Sequence, residues 1–123
     1  MQIRESAEMY LETILILSKK GDVRSIDIAR RMNFSRPSVS VTVHNLAKEN
    51  YIKINENGTI SLEPAGREIA ERIYERHTVL TELLVAIGVS EKTAEDDACK
   101  IEHTLSIETF NCIKKAIKKM DKK

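Results

Sequence analysis

Apolar residues at helical spacing open the chain. Over residues 6–18, SAEMYLETILILS, Tyr10, Ile14 and Leu17 recur at helical intervals and Leu11 and Leu15 widen the stripe. Met9, Glu12 and Ile16 share a neighbouring face, and KKGD closes the predicted helix. Ser25 is placed to cap a short second helix, with Asp27 near its positive end and Ile26, Ala29 and Met32 as its buried side. After the turn NFS, Ser35 is expected to cap a third helix, which tolerates Pro37 in its first turn because that amide has no intrahelical partner. Val39, Val43 and Leu46 form its core stripe, with Asn50 on the same side. Pro37, Ser38, Val41, His44, Asn45 and Lys48 occupy the opposite face.

The period then switches to two in YIKINENGTISL, around the turn signal Asn57-Gly58. A two-residue turn would set Ile54 opposite Ser61. A three-residue loop, Glu56-Asn57-Gly58 with Gly58 left-handed, sets Ile54 opposite Ile60 and Ile52 opposite Leu62. The second register keeps the apolar residues on one face and is the one expected. Lys53 then points outward and Asn57 sits at the tip. Pro64 opens a long helix running to about Ile87, and Gly88 ends it. Ser90 begins another helix with Ala94, Ala98, Ile101 and Leu105 as its stripe, and Ser106 caps a last helix that ends in lysines. This order predicts a mainly α fold. A winged helix-turn-helix with a β-hairpin wing occupies residues 1–63, and an α-helical domain occupies 64–123.

Charge sharpens that division. The 123 residues carry a formal net charge of only +1, which does not by itself announce a nucleic-acid binder. From Lys19 to Lys53, however, Lys19, Lys20, Arg24, Arg30, Arg31, Arg36, Lys48 and Lys53 face only Asp22, Asp27 and Glu49. From Ser90 to Phe110 the balance reverses, with Glu91, Glu95, Asp96, Asp97, Glu102 and Glu108 against Lys92 and Lys100. A basic first half and an acidic second half imply two jobs. No apolar run approaches the ~20 residues of a membrane span. The start, MQIRESAEMY, lacks the regions of a signal peptide. A cytoplasmic protein is expected, with Cys99 and Cys112 as reduced thiols or metal ligands.

In a helix-turn-helix the second helix enters the major groove with its N-terminal residues toward the base edges. Here those residues are Ser35, Arg36, Pro37 and Ser38, followed on the same helix by Ser40, Val41, His44 and Lys48. Hydroxyls and a helix N-terminus hold phosphates, Arg36 reads guanine or grips phosphate, and Val41 suits a thymine methyl. Lys53 and Asn57 on the wing reach the flanking backbone. The plainer reading is a pair of amphipathic helices with a solvated basic face. An exposed face of Ser, Val, His and Asn without acids before Glu49 favours DNA. The C-terminal lysines Lys114, Lys115, Lys118, Lys119, Lys122 and Lys123 read as a solvated tail, with DNA assistance as the alternative.

CKIEH, Cys99 to His103, places a thiol, a carboxylate and an imidazole within five residues. On an ideal helix Glu95, Cys99, Glu102 and His103 fall within an arc of about 100° beside the apolar stripe, with His103 turned away from it. Two readings stay open on these residues alone, a solvated polar face or a metal site. A metal needs more donors than this arc holds, and Met9 and Glu12 on the first helix and His77 on the long helix offer them. Cys99 as a nucleophile with His103 as base is a third reading, but no oxyanion hole, phosphate loop or orienting group accompanies it, so no enzyme is expected.

The stretches AEMYLETI, RPSVSVTVHNLAKENYI, ERHTVLTELLVAIGV and DDACKIEHTLS resemble the DtxR/MntR family of metal-dependent repressors, from about Glu5 to Phe110. The resemblance implies a dimeric repressor that binds operator DNA when Fe(II) or Mn(II) is plentiful, with residues 64–123 as the dimerisation and metal-binding domain. It maps the primary site of the iron branch onto Met9, Cys99, Glu102 and His103. The manganese branch has carboxylates at the positions of Met9 and Cys99. A second site would draw on Glu12 and His77, with Glu95 or Glu102. Thr81 stands where the family often has a carboxylate, and Glu95 replaces the iron branch's second histidine. With 123 residues, a short form without the SH3-like third domain is what the resemblance leads one to expect. Thioether and thiolate donors favour Fe(II), Co(II), Ni(II) or Zn(II) over Mn(II). Fe(II) is therefore the expected ion and Mn(II) the second, with the others as substitutes. Such a thiolate is also open to oxidation. The expected partners are a second copy of the chain and a palindromic double-stranded operator, with no membrane. The alternative is a winged-helix regulator answering an organic ligand or none.

Overall fold

The computed structural model describes residues 5–121, with side chains to Met120. Lys122 and Lys123 of the lysine tail lie outside the described residues. The elements are α1 (Glu5–Ser18), α2 (Ser25–Met32), α3 (Arg36–Lys48), β1 (Ile52–Ile54), β2 (Ile60–Leu62), α4 (Pro64–Ala86), α5 (Glu91–Ile101) and α6 (Ile107–Asp121). The fold is mainly α with one two-stranded antiparallel sheet. Contacts divide the chain into two compact units meeting at Glu71/Arg72, within α4.

In the first unit α1 packs on α2 and β2, and α3 packs on α2 and β1. Leu11, Ile14, Ile28, Val39 and Val43 have essentially no exposed surface. α2 differs from expectation. Its innermost residues are Ile28 and Ala29, while Ile26 and Met32 are half-buried, and the cap is Arg24, not Ser25. The Arg24 amide donates to Asp27 Oδ2 at 2.9 Å, so Asp27 closes the helix start that a serine hydroxyl was expected to close. Asn33, left-handed at φ 58°, ends α2. Ser35 caps α3 as expected, accepting from the Ser38 amide at 3.3 Å. α3 stops at Lys48, and Asn50 adopts φ 67° in the exit turn instead of extending the core stripe.

The hairpin has the three-residue register, Ile52 with Leu62 and Ile54 with Ile60. Asn55 and Thr59 close the loop at 2.8 Å, and Gly58 takes φ 86°. The Ile60 amide donates to Val23 O at 2.7 Å, anchoring the wing to the segment before α2. Gly66, in the first turns of α4, lies where an added Cβ would meet Tyr51 O at 2.0 Å.

In the second unit Ile73 and Leu80 of α4, Ala94 and Ala98 of α5, and Phe110 and Ile117 of α6 are buried. Gly88, at φ 109°, ends the α4 exit. Ser106 caps α6, accepting from the Thr109 amide at 3.1 Å. α5 stops at Ile101, so Leu105 lies beyond the helix and is only half-buried.

Alanine normally improves a helix over glycine by about 1 kcal/mol. At Gly66 the sign reverses, because the methyl group would collide with backbone. Gly66→Ala is expected to destabilise by about 2–3 kcal/mol, read as a lower urea midpoint by circular dichroism. An equal or higher midpoint would show that α4 can move off the wing freely.

Candidate metal centre and nucleic-acid interface

In the first unit the sequence of α3 turns a polar face outward because its apolar residues are spent on the core. Arg36, Pro37, Ser38, Val41, His44, Asn45 and Lys48 are all exposed, and Ser40 is half-buried. Val41 keeps 63% of its surface, a large exposure for an apolar side chain on an ordered helix. His44 Nδ1 donates to Ser40 O at 2.7 Å, which fixes the imidazole along the helix. Ser35 Oγ donates to Ser38 Oγ at 2.9 Å, joining two hydroxyls at the helix start.

Lys53 is exposed on the wing. Asn57 is exposed too, but its Oδ1 accepts from the Thr59 amide at 3.1 Å and the Thr59 hydroxyl at 2.7 Å. Its amide oxygen shapes the tip, and its carbonyl accepts from Arg24 Nη1. Arg24 is thus a wing contact that the helical pattern did not single out. Phe34 in the helix-turn-helix turn stays half-exposed, its ring centroid 6.1 Å from that of Tyr10.

In the second unit the end of α5 departs from the ideal helix. Glu102 is the C-cap, its amide bonded to Ala98 O at 2.9 Å, and Thr104 bonds back to Ile101 O at 3.0 Å in a tight turn. The His103 side chain, expected on a solvated face away from the stripe, is enclosed. Glu102 has 0% exposed surface, and the His103 side chain is likewise fully enclosed. The reading of this stretch as solvated helix surface is therefore wrong for these two residues.

The Glu102 carboxylate lies between two imidazoles. Oε2 is 2.9 Å from His77 Nδ1, and Oε1 is 3.3 Å from His103 Nε2. A carboxylate removed from water needs such partners, since burying a charge unpaired is costly. Cys99, one turn back on α5, is half-buried, and neither it nor exposed Cys112 is in a disulfide. Glu95 is exposed and takes no part in these carboxylate–imidazole contacts. On α1, Met9 is half-buried and Glu12 is buried. Thr81, one turn after His77, has a buried hydroxyl oxygen without a hydrogen-bond partner among the described residues.

Two imidazoles and a carboxylate in one enclosure, with a thiol a turn away, form the mixed nitrogen, oxygen and sulfur donor set that divalent transition ions take. The residues therefore fit a metal. Arg76 is the residue that spacing missed. It is buried at 8% exposure, and Nη1 donates to Leu105 O at 2.6 Å and Glu102 O at 3.1 Å. Its signal was an arginine set in the apolar row Ile69, Ile73, Leu80 of α4.

A reading helix with a wing, joined in sequence to a helical unit holding an enclosed donor cluster, is the equipment of a metal-responsive DNA-binding regulator. The chain belongs to the iron-dependent repressor family: the N-terminal DNA-binding domain matches residues 2–59, and the metal-binding and dimerisation domain matches residues 63–123. It is thus a metal-dependent transcriptional repressor of that family. The transcriptional regulator MntR of Geobacillus kaustophilus is 39% identical over 102 residues, 82% of this chain and 72% of that one. The diphtheria toxin repressor of Corynebacterium diphtheriae is 31% identical over 93% of this chain, which spans about half, 51%, of that protein. A manganese-dependent transcriptional repressor solved in complex with manganese matches with a TM-score of 0.79 at 25% identity, covering 87% of this chain and 50% of that one. No helix among the described residues is long and apolar enough to cross a membrane.

A double-mutant cycle of His77→Ala and Glu102→Ala in chelator-stripped protein is expected to give a coupling of about 1–3 kcal/mol by urea unfolding. Zero coupling would show that the imidazole–carboxylate contact contributes nothing to the metal-free fold.

Proposed function

We propose that this protein is a homodimeric, cytoplasmic repressor activated by Fe(II), with Mn(II) second, and that it acts by binding alone, without catalysis. The observation that carries the reading is the enclosed Glu102 carboxylate between His77 and His103. Cys99, Glu102 and His103 with Met9 are the primary donors, and Glu12 and His77 with Glu95 or Glu102 form a second site. The thioether of Met9 and thiolate of Cys99 support Fe(II). The family's description as iron-dependent agrees with that choice, and the relatives named for manganese support Mn(II) as second. Co(II), Ni(II) and Zn(II) are substitutes of similar softness.

Residues 1–63 bind DNA, and residues 64–123 dimerise and bind metal. Ser35, Arg36, Pro37, Ser38, Ser40, Val41, His44 and Lys48 face the major groove, with Lys53 and Asn57 on the flanking backbone. Two such helices in a dimer match a palindromic operator with half-sites about one turn, roughly 34 Å, apart. A metal held by donors from both halves links its own binding to DNA affinity. A 10- to 100-fold effect on operator binding requires about 1.4–2.7 kcal/mol of coupling.

The test is anaerobic thermal unfolding of stripped protein with Fe(II), Mn(II) or neither, beside His103→Ala. At a hundredfold excess over Kd the native state gains roughly 2.7 kcal/mol, and the variant should lose most of that gain. Stabilisation by neither ion would overturn the reading and leave a regulator that answers an organic ligand or none. For the DNA face, Arg36→Ala is expected to weaken operator binding by about 1–3 kcal/mol while the metal-induced shift persists. Unchanged affinity would remove Arg36 from the interface.

A further inference from the structure

Arg76 and His77 are consecutive on α4 and address the same residue. His77 Nδ1 meets the Glu102 carboxylate, while Arg76 Nη1 donates to the Glu102 backbone carbonyl and to Leu105 O. These carbonyls bracket the turn that carries Glu102 and His103. Glu102 is the C-cap of α5, so its carbonyl is among those a helix end leaves without an intrahelical partner. A guanidinium there also lies at the negative end of the helix dipole. The same guanidinium rests 5.4 Å from the centroid of the Phe110 ring on α6. Lys114 sits 5.5 Å from that centroid, and its ammonium is 3.2 Å from Glu75 Oε2 on α4. One buried side chain thus joins three helices of the second unit at the turn between α5 and α6.

We propose that Arg76 is a positioning residue for the metal centre, holding the 102–105 turn so that the donor atoms of Glu102 and His103 are in place before the ion arrives. The inference rests on the metal reading given above. Arg76 touches the backbone of a donor residue and supplies no donor atom itself, because a guanidinium has no acceptor lone pair to offer. Without it the turn is less constrained, and the ion must order its own ligands. Residues that orient ligands from behind in this way typically matter 10- to 100-fold in affinity.

The experiment compares wild type, Arg76→Met, Arg76→Lys, Phe110→Leu and His103→Ala as full-length chains. Mn(II) affinity is read from the free-ion paramagnetic resonance signal, and metal-free stability from urea unfolding. Arg76→Met is expected to raise the Mn(II) Kd about 10- to 100-fold. Arg76→Lys, which keeps a charge and a donor, should recover part of the loss. Phe110→Leu removes packing on the same turn and should lower the urea midpoint while its Kd moves less than about threefold.

A wild-type Kd in Arg76→Met overturns the proposal. So does a Phe110→Leu Kd raised as far as that of Arg76→Met, which would mark general loosening. Should Arg76→Met not fold, Arg76→Lys carries the comparison: a Kd between those of wild type and His103→Ala supports positioning, and a wild-type Kd overturns it. Wild type and His103→Ala binding Mn(II) alike would instead bring down the metal reading at these residues, and the proposal with it.

Discussion

A carboxylate with no exposed surface constrains everything around it. Glu102 can be ionised in its enclosure only if donors replace the water it has lost. The second unit meets that requirement with two imidazoles, His77 from α4 and His103 from the turn after α5, while Arg76 holds the backbone on which the carboxylate is hung. His77 and Arg76 sit side by side on α4. A change in the rotation of that helix would therefore disturb the side chain and the backbone of Glu102 together.

The first unit is organised by a different economy. Its core uses Leu11, Ile14, Ile28, Val39, Val43 and Ile52, and these leave α3 with a polar outward face carrying one large apolar side chain, Val41. The wing is tied down twice at its loop end. Ile60, beside the loop, bonds to Val23, and Arg24 reaches the Asn57 carbonyl at the tip. Gly58 takes φ 86°, which favours glycine, and a Cβ there would also come within 2.8 Å of Arg24 Nη1, so a side chain would push that guanidinium off its present position. Asn57 shapes the tip, because its side-chain oxygen is occupied by Thr59.

Most of the architecture was legible because periodicity and punctuation are local. The hairpin register followed from keeping Ile52, Ile54, Ile60 and Leu62 on one face, and the caps at Ser35 and Ser106 followed from hydroxyls at helix starts. Ile28 as the heart of α2 was not legible, because an eight-residue helix gives its apolar residues too few repeats to fix which side faces in. The cluster at 99–103 was legible as chemistry but not as geometry. Ideal helical angles placed His103 away from the apolar stripe of α5, and that placement says nothing of whether another part of the fold covers that side, as it does. Arg76 was legible only in part: its place in the apolar row of α4 signals burial, but its contacts to backbone carbonyls 26 and 29 residues away are encoded by no side-chain pattern.

The pairing of Glu102 has a consequence for sensing. Its Oε2 is hydrogen-bonded to His77 and its Oε1 lies 3.3 Å from His103 Nε2, so the metal-free arrangement already sets the carboxylate between two imidazoles. A metal taken up by those same atoms displaces these pairings and any protons they hold before it gains its own. Affinity at those atoms is then a difference between two paired states, smaller than the intrinsic strength of the donor set. Glu102 is paired with imidazoles in the metal-free fold and is also a proposed ligand, so stability without metal and affinity for metal trade against each other at a single side chain.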